Sequence, residues 1–196
     1  MAREDTETVP PACVRNPQIS LMGGVSEDMA KDLRDQLRQL GEDREPVAVE
    51  MTTLGGDAEF ARRMVLDIDH ARERLRARRL VFVGKTTVYS AGVTVMSAFP
   101  REDRFLTADA ILLIHCRQLD KTIEIDGPIR ASLPQVEALC HQLRTGIELE
   151  KQNFERLIRG TSVTLERLLE KALYNWYLTA DEALALGLVA GVIGAP

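Results

Sequence analysis

Ser90, His115 and the pair Gly55-Gly56 are the residues of this chain whose type and placement could do chemistry. Ser90 stands beyond the apolar run 80–83, in a turn that opens a short small-residue helix ending at Phe99 before Pro100. A serine there has its hydroxyl lifted to the sheet edge, with the unpaired N–H groups of a helix start beside it as oxyanion donors. The competing reading is an ordinary helix cap. His115 closes the apolar run 110–114, and parallel α/β sheets place their sites at the carboxyl ends of strands; a satisfied structural histidine is the alternative. Gly55-Gly56 also follows a strand and precedes a helix, which permits close approach by another backbone or a ligand, or makes a tight turn. The other histidines, His70 and His141, lie in charged helices and read as surface residues. Cys13, Cys116 and Cys140 lack metal-ligand spacing, so no metal is expected, and with no phosphate-loop signature no cofactor is expected either.

The elements that must position these residues are legible as alternating strands and helices. A strand at 18–22 ends on Gly23-Gly24. Ser26 caps a helix whose apolar face is Met29, Leu33, Leu37 and Leu40, stopped by Gly41. A strand at 47–51 precedes a helix carrying Phe60, Met64, Ile68 and Leu75. The five arginines within 72–79 allow a basic patch, but the helix dipole favours a solvated C-terminus. Strands are expected at 80–83 (closed by Gly84), 104–106 and 110–115. The polar–apolar alternation of 121–126 predicts another, broken by Gly127-Pro128, and a long helix follows from about 133 to 159. Thr179 and Glu182 form a capping box for a last short helix, which ends at Gly187 before a strand at 188–192. The alternation implies an α/β fold with a mainly parallel sheet flanked by helices. Residues 1–17, with Pro10-Pro11 and Pro17, read as a flexible arm, and 18–196 as one domain.

Composition narrows the function. Of 196 residues, 45% are hydrophobic and 28% charged, ordinary for a soluble domain with a sizeable core. Aromatics reach only 5%, so the core must rest on aliphatic residues. A net charge of −5 argues against nucleic acid as the main partner. No apolar run approaches the roughly 18 residues of a membrane span, and the acidic first residues do not resemble a signal peptide. The three unpatterned cysteines suit a reducing, cytoplasmic compartment.

Taken together, Gly55-Gly56, Ser90 before a small-residue helix, and Ile114-His115 resemble the Clp protease proteolytic subunit family, the serine-peptidase branch of the Clp/crotonase fold. His115 follows Ser90 by 25 positions, matching the family's nucleophile-to-base spacing. The resemblance runs from Ile19-Ser-Leu-Met-Gly-Gly-Val25 to Leu188-Val189. Its last part, Asn175-Trp-Tyr-Leu-Thr-Ala-Asp-Glu-Ala183 with Gly187, resembles the segment that begins at the triad acid. The resemblance implies Ser90 as nucleophile, His115 as general base and then acid, and Asn175 as third member. It implies oxyanion donors at Gly56 and Ala91, with Gly55 as second choice. A peptide or unfolded protein would lie extended between Gly55-Gly56 and the strand at 121–126, inside a handle spanning about 117–160. The family further implies a homo-oligomeric ring, a heptamer or a double ring, with an ATP-driven unfoldase as candidate partner.

Several residues depart from the family pattern. Asn175 stands where the family has Asp, Thr53-Leu54 replaces Ser-Pro, and Cys116-Arg117 replaces Gln-Pro. Gly127 is the sole glycine of the segment 118–133, which stands where the family has a glycine-rich stretch of the handle, Leu173-Tyr174 replaces a charge pair used between rings, and the arm lacks the axial-loop pattern. An active peptidase is therefore weighed against a catalytically weak or inert structural subunit. The third reading, an acyl-CoA enzyme of the crotonase branch, leaves Ser90 and His115 without a role.

Overall fold

The computed structural model describes residues 10–41, 43–76, 78–119 and 122–194. In chain order the elements are β1 (Ile19–Met22), α1 (Glu27–Gln39), β2 (Val47–Thr53), α2 (Ala58–Arg74), β3 (Leu80–Tyr89), α3 (Ala91–Met96), β4 (Arg104–Thr107), β5 (Ile111–Ile114), α4 (Ile129–Leu157), α5 (Leu165–Ala172), β6 (Trp176–Thr179), α6 (Ala180–Ala185) and β7 (Gly191–Ile193). Strands β1, β2, β3, β4 and β7 pair in that order, all parallel. Strand β5 pairs parallel with β3, and β6 adds to it antiparallel. The α/β architecture with a mainly parallel sheet is as the alternation predicts.

Strand β3 does not stop at Gly84. Its first half pairs with β4 (Phe82 to Gly84 against Arg104 to Leu106), its second half with β5 (Thr87 to Tyr89 against Ile111 to Leu113). Between them Thr86 takes a φ of 57°, and the register against β2 slips between Met51 and Thr53. This irregularity swings the end of β3 away from β4, and Ser90 is the next residue. Gly84 is needed at the bend because a Cβ there would lie 2.5 Å from Leu106 Cδ2.

Two expectations are corrected. Residues 122–126 form no strand, and Ile123 and Ile125 are exposed; a half-apolar segment with no strand of its own chain beside it has nothing to complete a ladder. The long helix begins at Ile129 rather than near Leu133 and runs through Pro134. Strand β6 and helix α5, capped by Thr164, are additions to the expected elements: β6 is too short to show a period, whereas α5 carries Leu165, Leu168, Leu169 and Ala172 at helical spacing, the signal that could have found it. Of the expected arm, residues 1–9 lie outside the described residues. Ala12–Arg15 form a 3-10 turn that buries Val14 against Ala48 and Val81.

The arginines in the last turn of α2 and just beyond it are neither a basic patch nor simply solvated. Arg74 reaches the Leu37 carbonyl at the end of α1 (2.7 Å), Arg78 those of Gly41 and Glu45, and Arg72 that of Ala98. They satisfy carbonyls that helix ends and turns leave unpaired. The most buried cation is Arg104, 2% exposed. Nε donates to Phe99 O (2.8 Å), Nη1 to Leu157 O (2.7 Å) and Leu188 O (3.3 Å), and Nη2 to Ser97 O (3.5 Å). No carboxylate pairs with it among the described residues, and burial pulls its pKa down to about 10, which leaves it charged at neutral pH. No helix of the described residues is long and apolar enough to cross a membrane.

Replacing Arg104 by Met would take that donor from the Phe99, Leu157 and Leu188 carbonyls, while Ser97 O keeps its bond from Arg156 Nε. Arg104→Met is expected to cost about 3 kcal/mol of folding stability, read from urea unfolding midpoints. A loss below about 0.5 kcal/mol would show that the guanidinium is dispensable.

Candidate active site

Ser90 is the hinge between β3 and α3. Its φ of 53° and ψ of −113° lie where L-residues are strained, a conformation that costs on the order of 1–3 kcal/mol and persists only where the surroundings enforce it. Here the Ser90 N–H donates to the Leu113 carbonyl of β5 (2.8 Å), and the Ser90 carbonyl accepts from Val93 as the first bond of α3. The Ser90 side chain makes no capping bond, so the cap reading is not what the structure shows. Ser97, two turns on, is buried and donates to the Thr94 carbonyl (2.7 Å).

Gly55 packs directly against the serine. A Cβ at Gly55 would stand 2.9 Å from Ser90 Cβ, and φ is +104°. Gly56 meets β1's continuation in an isolated parallel bridge with Val25. That bridge uses the Gly55 carbonyl and the Asp57 N–H, so the Gly56 N–H takes no part in it. A Cβ on Gly56 would fall 2.3 Å from Val25 O. The buried Thr53 hydroxyl accepts the Gly55 N–H at 3.0 Å, which occupies the second-choice oxyanion donor. Thr53 also presses on Gly92, where a Cβ would come 2.4 Å from its Cγ2. It is a supporting residue that the motif pattern registered only as a departure.

Ser90, Ala91, Gly56 and His115 line one cleft of about 520 Å³. Its other walls are the start of α2 (Asp57, Ala58, Glu59) and the last two turns of α4 (Glu150, Phe154, Leu157). As the first residue of α3, Ala91 has an N–H with no partner inside the helix. His115 is half-buried, and its Nδ1 lies 2.7 Å from the Cys116 carbonyl. That contact assigns the proton to Nδ1 and leaves Nε2 as the acceptor.

Asn175 is placed differently from the rest. Ile114 of β5 pairs with Trp176 of β6, so the next step of the antiparallel ladder sets His115 and Asn175 at facing positions. Yet Asn175 is exposed, does not line the cleft, and forms no side-chain bond to His115 among the described residues. In this structure the partner of Nδ1 is the Cys116 carbonyl, and Asn175 faces it across the ladder without a bond. The φ of Asn175, 59°, is one that asparagine tolerates better than most residues. Ser90 and His115 likewise make no direct hydrogen bond to each other among the described residues. His70 and His141 are exposed, as their charged helices suggest.

Arg117 closes one side of the cleft. Its Nη2 meets Glu59 Oε1 at 2.6 Å across 58 residues of chain, and this contact, with help from Arg62, holds the Glu59 carboxyl below the usual carboxylate range. Its backbone N–H donates to the nine-tenths buried Glu150 carboxylate. Burial pushes the Cys116 thiol up to about 11, with Glu150's charge adding to the shift, so Cys116 is a neutral thiol and no nucleophile at neutral pH.

Comparison with known proteins bears on the family and the fold. A family model described as Clp protease matches residues 3–196. The chain is 26% identical over 178 residues to ATP-dependent Clp protease proteolytic subunit 2 of Pseudomonas aeruginosa, covering 90% of this chain and 80% of that one. It is 22% identical over 180 residues to proteolytic subunit 3 of Rhizobium etli, covering 91% and 84%. A solved asparagine-to-aspartate mutant of ClpP1 from Listeria monocytogenes superposes with a TM-score of 0.70 at 20% identity, covering 93% and 94%.

The packing of Gly55 on Ser90 yields a test. Gly55→Ala is expected to displace the Ser90 hydroxyl and cut the rate of labelling by a fluorophosphonate about a hundredfold, with far-UV circular dichroism unchanged. Unchanged labelling would mean that the two residues do not share one rigid site.

Proposed function

Because the chain belongs to the Clp protease family, we propose that it cleaves peptide bonds through an ester on Ser90, with His115 as base and the N–H groups of Gly56 and Ala91 as oxyanion donors. The observation that carries this reading is the strained Ser90 turn, held by β5 on one side and Gly55 on the other, in one cleft with His115. Strain of that kind gains nothing for a capping serine that makes no cap.

The steps follow from the groups present. Ser90 Oγ attacks the substrate carbonyl and its proton passes to Nε2 of His115. The carbonyl oxygen, now negative, is met by the Gly56 and Ala91 N–H groups; removal of one such donor typically costs roughly a hundred- to a thousandfold in turnover. The amine leaves with the proton from Nε2, and water repeats the sequence to release the acid and restore Ser90. The Cys116 carbonyl fixes the productive tautomer. It carries no full charge, and neither does Asn175, so the imidazolium is stabilised less than by a triad carboxylate. An active but slow peptidase is the reading this supports over an inert subunit, since Ser90, His115, Gly56 and Ala91 line one cleft.

Assembly is part of the proposal. Ile129, Leu133, Val136, Leu143 and Ile147 recur at spacings of three, four and seven along α4 and are all exposed, with Cys140 completing the row. Such a stripe calls for a partner surface. A ring of copies, heptameric by the family's pattern, supplies one, with the segment 122–126 as the free edge along which an extended substrate pairs. Stacking of two rings has to proceed without the charge pairs that Leu173 and Tyr174, both exposed, cannot make.

A fluorophosphonate probe tests the nucleophile. Ser90→Ala should abolish labelling and Ser97→Ala should leave it, because the Ser97 hydroxyl is already given to Thr94. Labelling that survives Ser90→Ala rejects the assignment.

The facing position of Asn175 generates a second test. Asn175→Asp is expected to raise kcat/KM on a short peptide at neutral pH by at least about tenfold, a fraction of the ten-thousandfold effect of the reverse change in a serine triad. An unchanged value in the folded, assembled variant would show that Asn175 does not limit the rate.

A further inference from the structure

The cleft beside Ser90 is lined by three carboxylates, Asp57, Glu59 and Glu150, against one guanidinium, Arg117. Two of the three are already engaged. Asp57 caps α2 by accepting from the N–H groups of Glu59 and Phe60, and Glu59 pairs with Arg117 and Arg62. Glu150 is the most buried of them, only 9% exposed. Among the described residues no lysine, arginine or histidine forms an ion pair with it. It accepts from the Arg117 backbone N–H and from the neutral Cys116 thiol, which leaves about two of the four acceptor positions of a carboxylate open to a ligand. Its charge is felt locally, since it helps to hold the Cys116 thiol protonated. A buried carboxylate without a counter-charge is costly, and a cation brought by a ligand relieves that cost.

The surroundings suit a long cationic side chain. Phe154 and Leu157 stand one and two turns further along α4 and line the same cleft. They offer apolar surface to a methylene stem whose charged end reaches Glu150. We propose that Glu150 selects substrates with lysine or arginine at the residue whose carbonyl Ser90 attacks. The inference rests on the serine-peptidase reading above and adds a substrate class to it. In this reading Glu150 is a specificity-determining residue; the acyl transfer itself does not pass through it.

The test uses the full chain and three fluorogenic peptides that differ only in that residue, as lysine, Nε-acetyl-lysine or leucine. Acetyl-lysine keeps the length and removes the charge, so the comparison needs no variant. Cleavage of the lysine peptide at least about tenfold faster than both others, in kcat/KM, is the expected result for a charge-assisted contact. Glu150→Gln keeps an acceptor for Arg117 and should bring the lysine-to-leucine ratio to about one. Equal cleavage of lysine and acetyl-lysine overturns the proposal, as does a lysine preference that survives Glu150→Gln. Cleavage of none of the three while fluorophosphonate still labels Ser90 overturns the specificity claim alone. Loss of both cleavage and labelling overturns the peptidase reading with it.

Discussion

A guanidinium with no carboxylate holds this fold together. Arg104 projects from the middle of the sheet and gives its protons to four carbonyls, at the end of α3, the end of α4 and the turn after α6. Each of those carbonyls belongs to the group that a helix or turn end leaves unpaired. One side chain therefore fixes three chain ends relative to β4. Two of them frame the cleft: α3 carries the N–H beside Ser90, and α4 supplies the wall opposite. Burial of a charge is tolerated because each of the three nitrogens has a carbonyl partner, which is the condition that makes such an arrangement hold rather than fail.

The strain at Ser90 is the local counterpart of that order. A positive φ at a serine needs enforcement, and it comes from three sides: the Leu113 carbonyl, the helix that starts at Ala91, and the glycine pair that admits no Cβ. Thr53 then locks the glycine pair by taking the Gly55 N–H. The same bond takes up the Gly55 N–H, whereas the Gly56 N–H stays out of the bridge to Val25. The geometry of the cleft is thus set by small residues and backbone bonds, with few long side chains whose rotamers could wander.

Much of this was readable from the residues. The helix at Ser26 and the capping box at Thr179 were visible because side-chain chemistry at those positions is local. So were Ser90, His115 and the glycine pair, whose order and spacing resemble the family's pattern and which the fold brings to one cleft. What was not readable depends on contacts between distant segments. Strand β6 is four residues long and exists because β5 lies beside it. The alternation at 122–126 looked like a strand and lacks the partner that would make it one. The Cys116 carbonyl beside Nδ1 of His115 is set by the turn of the backbone after β5, which spacing cannot foresee. Glu150 was one polar position among many in a long helix until the fold set it beside the cleft.

Helix α4 has a consequence of a thermodynamic kind. Its last turns are anchored by Phe154 and Leu157, while the turns from Ile129 to Ile147 expose their apolar side chains. An isolated helical segment of that length, interrupted by Pro134, is marginal in water, because its hydrogen bonds scarcely exceed the entropy lost in forming it. Its free energy of folding is therefore completed by whatever surface covers the stripe. The stability of this half of the helix becomes a function of protein concentration, coupled by mass action to association. Glu150 sits at the junction of the two regimes, so the wall of the cleft is the point at which assembly would be felt by the chemistry.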